Sequence, residues 1–338
     1  MAQGGVGRRT FIRHAAAATA GLGLSASAGC ERSAEPVSAT PLFELSLAEW
    51  SLHRTLFGAW FNQAPSGEFA RRLHTDPRSV LQGSLDHLDF ARTARQDFGI
   101  GAIEYVNTFF FDRAADGGYL SDMKSRADGE GVRSLLIMCD SEGRLGDPDA
   151  TARATTIENH RKWIEAAAFL GCHAIRVNAA SDGTRDEQAR LAADGLAHLA
   201  EVGDAAGLDV IVENHGGVSS DGRWLAEVLA LADHPRLGTL PDFGNFDLGN
   251  GERYDQYQGV AELMPFARAV SAKSYDFTSG GDETTIDFER MMRIVLGAGY
   301  RGHVGIEYEG ARLGEADGIR ATKRLLERVR DAVANDFR

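Results

Sequence analysis

The sequence predicts a single (β/α)8 barrel that follows an N-terminal export signal and a short linker. Three observations carry this expectation. Eight short apolar runs alternate with helical patterns from residue 43 onward, and such alternation implies a parallel sheet with right-handed crossovers. Roughly 300 residues follow the linker, the size of one such barrel. Polar residues collect at the carboxyl end of one run after another, where barrel enzymes place their active sites. No Gly-x-Gly-x-x-Gly follows a strand, which argues against a dinucleotide-binding open sheet.

The first element is the export signal. Residues 1–29 carry Arg8-Arg9 with Phe11 two residues on, then an Ala/Gly/Leu run, then Ala26-Ser27-Ala28 as a small-residue cleavage site. This is a twin-arginine pattern. Ser27-Ala28-Gly29-Cys30 also resembles a lipoprotein box, in which Cys30 is acylated and anchors the chain to a membrane; Ser27 departs from its usual Leu. The expected location is the periplasm, free or lipid-anchored. Residues 30–42 read as a polar tether, and residues 43–338 as the barrel.

Removing residues 1–29 takes away Arg8, Arg9 and Arg13 and no acid, so the formal charge moves from −13 to −16. An acidic chain without basic clusters is a poor nucleic-acid binder. No later apolar run is long enough to span a bilayer. Cys139 closes one expected strand and Cys172 opens the next. They fall at opposite ends of neighbouring strands, too far apart for a disulfide.

The expected strands are Phe43–Leu47, Gly101–Val106, Ser134–Met138, Ala174–Val177, Asp209–Val212, Leu237–Leu240, Ala269–Lys273 and Val304–Ile306. Helical patterns between them include Ile157–Leu170, Asp186–Ala206 and Asp287–Ala298, the last stopped by Gly299. A final helix over Glu315–Ala334 closes the outer ring.

The chemistry-bearing residues follow the strands. The fifth ends in VENHGG, giving Glu213, Asn214 and His215. The sixth ends in LPDFGNF, giving Asp242 and Asn245; the seventh carries Lys273 and Asp276; the eighth ends in GIEYEG, giving Glu307 and Glu309. Glu213, Asp242, Lys273 and Glu307 are 29, 31 and 34 residues apart, about one strand–helix unit each. Earlier strands add His53, Glu104, Glu142, Arg176 and Asn178. Trp50 and the Phe109-Phe110-Phe111 run offer apolar faces for a sugar ring, or lid and core packing. Three carboxylates at one mouth repel one another unless a cation lies between them. Hard oxygen ligands suit Mn²⁺ or Mg²⁺, and an added imidazole admits Co²⁺, Zn²⁺ or Fe²⁺. A metal so held polarises a carbonyl and stabilises an enediolate, while two carboxylates move protons on opposite faces of a sugar.

The stretches SLAEWSLHR, IEYVNTFF, CHAIRVN, VIVENHGG, TLPDFGNF, VSAKSYDF and VGIEYEG resemble the sugar phosphate isomerase/epimerase family, with its xylose-isomerase-like TIM barrel, in a branch that carries export signals. The resemblance spans roughly residues 43–330. In ketose epimerases of that family a Glu, an Asp, a His and a Glu at the ends of strands five to eight bind one divalent metal, and the two glutamates form the acid/base pair. The resemblance therefore implies Glu213, Asp242 and Glu307 as ligands, with Glu213 and Glu307 as the proton-transfer pair. The family histidine falls at or beside Lys273, and a protonated lysine is no ligand. One reading has the metal lose a ligand or recruit His215, which shares a strand face with Glu213. Another has Lys273 neutralise the carboxylates and donate to a developing enolate oxygen beside a retained metal. A third is a Schiff base between Lys273 and a keto sugar.

The expected activity is metal-dependent isomerisation or epimerisation of a carbohydrate, with Glu213, Glu307 and Lys273 catalytic and His53, Glu104, Arg176, Asn178 and His215 binding substrate. One ion of Mn, Co, Mg, Zn or Fe is expected. Export and the lack of a basic or Gly-rich phosphate cradle point to a free sugar, a sugar acid or an oxidised (keto) glycoside. Three rivals stand beside this reading. They are a lyase or hydrolase of keto-glycosides using the same enolate chemistry, a non-catalytic sugar-binding protein, and a metal-dependent endonuclease. The last calls for a basic mouth and more histidines, which this chain lacks.

Overall fold

The structure, a computed structural model, describes residues 41–337. The expected signal segment 1–29, Cys30 and the linker up to residue 40 lie outside the described residues. Eight barrel strands follow in order: β1 Glu44–Ala48, β2 Ala102–Val106, β3 Arg133–Met138, β4 Ala174–Asn178, β5 Asp209–Glu213, β6 Leu237–Leu240, β7 Val270–Ser274 and β8 His303–Tyr308. Each lies within two residues of its expected boundaries at either end. They are hydrogen-bonded in the order β6-β5-β4-β3-β2-β1-β8-β7, and every neighbouring pair is parallel. Parallel bridges Thr239↔Ala267 and Asp242↔Ser271 join the β6 and β7 segments and close the barrel. The second bridge holds Asp242 beside β7.

One helix follows each strand: α1 Phe90–Phe98, α2 Gly117–Glu130, α3 Ala150–Leu170, α4 Arg185–Ala205, α5 Gly222–Ala232, α6 Gln256–Leu263, α7 Phe288–Gly297 and α8 Glu315–Ala332. Their starts are chemically explicit. Asp116, Asp149, Asp221, Asp255 and Asp287 each accept a first-turn backbone N–H, and Thr184 forms a capping box with Glu187. Asp149 explains why α3 begins seven residues ahead of its expected start. Gly195 lets α4 lie against the β3–α3 loop, since a Cβ there would sit 1.8 Å from the Leu145 carbonyl oxygen. Among the described residues no helix is long and apolar enough to cross a membrane. Cys139 and Cys172 are buried and unbridged.

The sequence carries no clear period between β1 and α1, where the structure has an excursion over the barrel mouth. Short helices His53–Phe57 and Glu68–Thr75 fold there around packed rings, Phe57 stacked on Phe61 at 4.7 Å and tilted against Phe109 at 4.8 Å. Aromatic pairs at such distances each contribute about 0.5–1.5 kcal/mol beyond their burial.

On α3, His160 is buried, with its Nδ1 2.7 Å from the Thr156 carbonyl. Burial holds its pKa below the ordinary value of 6.5. The unfolded chain therefore binds this proton more readily, and the stability gained from a neutral His160 is present above pH 6.5 and lost as pH falls through the lowered value. In thermal melts from pH 7.5 down to 5, His160→Gln is expected to show a shallower loss of Tm than the parent chain. Parallel curves would show that His160 does not carry this acid sensitivity.

Candidate active site

Strand alternation builds the site. On β7, Ser271 and Lys273 face inward; on β8, Gly305 and Glu307 do so, and Glu309 follows. Glu307 pairs in register with Lys273. At the mouth Glu213, Asp242 and Glu307 each offer one oxygen, and these lie within 4.8 Å of one another. All three side chains are buried.

Their partners hold them in place. Asp242 Oδ1 accepts from the backbone N–H of Gly244 and Asn245, both at 2.8 Å, and Oδ2 from Ser271 Oγ at 2.8 Å. Glu213 Oε1 accepts from Asn245 Nδ2 at 2.8 Å. Its Oε2 lies 2.5 Å from Arg176 Nε, but the N–H is not aligned on it, so this buried oxygen has no hydrogen-bond donor. Lys273 Nζ donates to Asn245 Oδ1 at 3.1 Å and lies 3.1 Å from Glu307 Oε1, 3.5 Å from Glu309 Oε1 and 4.0 Å from Asp242 Oδ2. Three acceptors within 3.5 Å match the three N–H bonds of one ammonium.

These contacts split the acids. Burial pushes Glu213 up to about 7, with Arg176 opposing and Glu307 reinforcing. Burial also pushes Asp242 up to about 7 against Lys273. Burial acts upward on Glu307 too, but Lys273 and Arg176 outweigh it and hold it below the ordinary carboxylate value. For Lys273, burial alone would lower the pKa; Asp242, Glu307, Glu309 and Glu213 raise it well above the ordinary value instead. A Schiff base needs the neutral amine, so this environment disfavours that route.

A cleft of about 360 Å³ opens beside Glu307. Apolar groups from Trp50, Phe69, Val106 and Met138 line it together with the polar Asp140, Arg176, His215, Glu307 and Glu309. Such a cleft suits a sugar, which has C–H faces and hydroxyl edges. His215 is exposed to the cleft while closely surrounded by protein. That crowding and the Arg176 charge lower its pKa, favouring the neutral ring.

The structure thus brings together Glu213, Asp242, Lys273, Glu307, Arg176 and His215. Asn178 donates to Asp140 Oδ1 at 2.7 Å and stands behind the cleft wall. Asn214 braces the β6 end through Asp242 and Asn245 backbone groups. His53 and Glu104 do not line the cleft. The His53 ring stacks on Trp50 at 5.0 Å, and its Nδ1 lies 2.7 Å from the Trp50 carbonyl. Glu104 lies one layer lower in the barrel, accepting from Ser46 Oγ at 2.6 Å. Its carboxyl fills the space left by Gly305, where a Cβ would come within 2.6 Å of it. Burial pushes Glu104 up to about 7. Asp276 pairs with Arg312 at 3.0 Å in a loop. Phe109 and Phe110 are buried behind the wall, whereas Trp50 forms part of it.

Glu142 turns away to accept from Trp163 Nε1 at 2.6 Å and to meet Lys162 at 2.9 Å. Asp140 takes the place at the mouth, 2.8 Å from Arg176. Burial opposes its ionisation, but Arg176 holds it below the ordinary value. The reason is local: Ser141 adopts φ +64°, which breaks the alternation that would carry Glu142 inward. Asp140 lies two residues past the end of β3, and that position is the signal for it in the sequence.

The donor set can be tested for a divalent cation. Five acids, Glu213, Asp242, Glu307, Glu309 and Asp140, surround only two cations, Lys273 and Arg176. The triad supplies hard oxygens within 4.8 Å of one another. These residues fit a hard divalent ion.

The fold and this acidic centre define a sugar isomerase/epimerase-like TIM barrel. The chain belongs to the xylose isomerase-like TIM barrel family, whose description matches residues 92–330. Among solved structures it is similar to 3-keto-D-glucoside 4-epimerase from E. coli, with 17% identity, 72% of this chain and 94% of that chain covered, and a TM-score of 0.60. It is also similar to the IOLI protein solved with a zinc atom, with 12% identity, coverage of 86% and 98%, and a TM-score of 0.62. At these identities the likeness is one of fold. A curated relative, the C-glycoside deglycosidase alpha subunit of Arthrobacter globiformis, is 37% identical over 75 residues, which is 21% of this chain and 21% of that protein. The match thus spans about a fifth of that relative's length.

Proposed function

We propose that this protein is a metal-dependent isomerase or epimerase that moves a proton beside a sugar carbonyl through an enediolate, acting on a non-phosphorylated or oxidised (keto) carbohydrate. The observation that carries the reading is the convergence of Glu213, Asp242 and Glu307 within 4.8 Å, with Glu307 also lining a sugar-sized cleft. Glu213, Asp242 and Glu307 hold one divalent ion (Mn, Co, Mg, Zn or Fe), which when bound polarises the substrate carbonyl. Glu307, held ionised by Lys273 at 3.1 Å, takes the proton from the carbon beside the carbonyl. Glu213 returns a proton to the other face. Lys273 donates to Asn245 Oδ1 and is ion-paired with Glu307 and Glu309, and so acts by fixing Glu307. Arg176 and His215 orient hydroxyls, and Trp50 and Phe69 cover the ring and exclude water.

A second reading has one specific support, the segment similar to a C-glycoside deglycosidase alpha subunit. There the same deprotonation expels a leaving group from the neighbouring carbon in place of reprotonation.

The test uses protein recovered from the periplasmic or membrane fraction and beginning at Cys30 by mass. A chain found only in the cytosol with Met1 intact would overturn the export reading. Incubated with Mn²⁺ in D₂O beside free ketoses and 3-keto-glucosides, it is expected to yield an isomer carrying deuterium next to the carbonyl, read by NMR. Two fragments would favour the second reading. No exchange with any of these sugars under any of the five metals would sink both.

A further inference from the structure

The wall of the cleft carries two acids that the proposed proton transfer does not use. Asp140, after β3, and Glu309, after β8, both line it. Their side chains are 26% and 27% exposed. The backbone fixes each of them. The Asp140 N–H donates to Asn107 Oδ1 at 3.0 Å, and the Asp140 carbonyl accepts from Asn107 Nδ2 at 2.9 Å. The Glu309 N–H donates to the Ser274 carbonyl at 2.9 Å, which carries the β7–β8 pairing past Tyr308.

Their oxygens are open to a ligand. Asp140 Oδ1 accepts from Arg176 Nη1 at 2.8 Å and from Asn178 Nδ2 at 2.7 Å. Asp140 Oδ2 and both Glu309 oxygens accept no hydrogen bond among the described residues, and none of the three is buried. The cations stand behind them, with Lys273 2% exposed and Arg176 4%. Arg176 is already matched, between Asp140 at 2.8 Å and Glu213 at 2.5 Å. His215, the remaining basic group on the wall, favours its neutral ring. A divalent ion on the triad does not reverse this balance. Its two charges with Lys273 and Arg176 make four, against the five acids Glu213, Asp242, Glu307, Glu309 and Asp140.

We infer that Asp140 and Glu309 are specificity-determining residues that admit an uncharged sugar through its hydroxyls and reject the corresponding sugar acid or sugar phosphate. The inference rests on the carbohydrate reading above and narrows it. An ionised carboxylate only accepts hydrogen bonds, so its partner must donate, and a hydroxyl does. A carboxylate or phosphate on the sugar offers no donor there and meets like charge, which is how a site suppresses wrong partners.

The test measures binding, not turnover. Protein labelled with ¹³C at histidine Cε1 is followed by NMR with Mg²⁺ present, and His215, assigned by His215→Gln, reports the cleft. Two matched pairs are titrated: D-fructose against D-fructuronate, and methyl 3-keto-β-D-glucoside against its C6 carboxylate. In at least one pair the neutral sugar is expected to give a saturable shift and to bind about tenfold or more tighter than its acid, the scale of one like-charge contact. Glu309→Gln and Asp140→Asn keep the side-chain shape and remove one charge each. Each is expected to narrow that gap about threefold or more, with acid binding gaining. Equal or tighter binding of the acids by the parent chain, an unchanged gap in either folded variant, or no shift with any of the four sugars would overturn the inference. The preference of the parent chain decides the matter where a variant does not fold. A neutral-sugar preference without deuterium exchange would keep this inference and sink the epimerase reading. Exchange into the acids as fast as into the neutral sugars would do the reverse.

Discussion

Glu307→Gln lowers turnover by about 10²–10⁴-fold, the range that a positioned general base contributes, while sugar binding stays measurable. The substitution keeps the shape of the side chain and removes its basicity. Glu307 is the natural base of the pair because Lys273 at 3.1 Å and the more distant Arg176 hold it ionised, whereas burial leaves Glu213 readier to keep a proton. A companion variant separates chemistry from metal. Asp242→Ala removes an oxygen fixed by Gly244, Asn245 and Ser271, and is expected to lose the divalent ion as measured by elemental analysis of purified protein. The parent chain should carry about one ion. Turnover of Glu307→Gln within threefold of the parent would reduce the acids to an ion-paired barrel rim. Equal metal content in Asp242→Ala and the parent would remove the ligand assignment.

Lys273→Met has the second large effect, and it appears in stability as well as rate. The ammonium is the one cation within 4.0 Å of Asp242, Glu307 and Glu309 together among the described residues. Removing one partner of a buried ion pair leaves uncompensated charge and costs about 3–5 kcal/mol, or roughly 5–15 °C in Tm for a domain of this size. Turnover falls as well, because Glu307 loses the charge that holds it ionised. The Tm loss should be smaller with a divalent ion present, since the ion supplies replacement positive charge. Calorimetry with and without Mn²⁺ reads this difference. An unchanged Tm in both conditions would mean that Lys273 is not the balancing cation of the site.

These effects rest on features of different legibility. Regular features with a period were open to reading from the chain alone. The eight strands announce themselves as apolar runs, and the strand–helix alternation permits few closures of the sheet. Glu213, Asp242, Lys273 and Glu307 were locatable because each follows its strand at nearly constant spacing. Features that depend on one dihedral angle or one neighbour were not. Asp140 replaced Glu142 at the mouth because Ser141 takes a left-handed turn. Glu104 fell one layer below the mouth because Gly305 leaves a space for its carboxyl. His53 went to Trp50 once the β1–α1 excursion folded into short helices, a segment without a clear period.

The sequence by itself therefore determined the barrel, the order of its strands and the acids at their carboxyl ends, because pattern and spacing are properties of the chain. The tertiary structure alone decided which acids share a proton balance and which cation serves them. It also decided that Asp140 and Glu309 keep unmatched, accessible oxygens on the wall of the cleft. Those outcomes depend on burial and on distances of a few ångströms between residues far apart in sequence, and Coulomb and desolvation energies change steeply over that range.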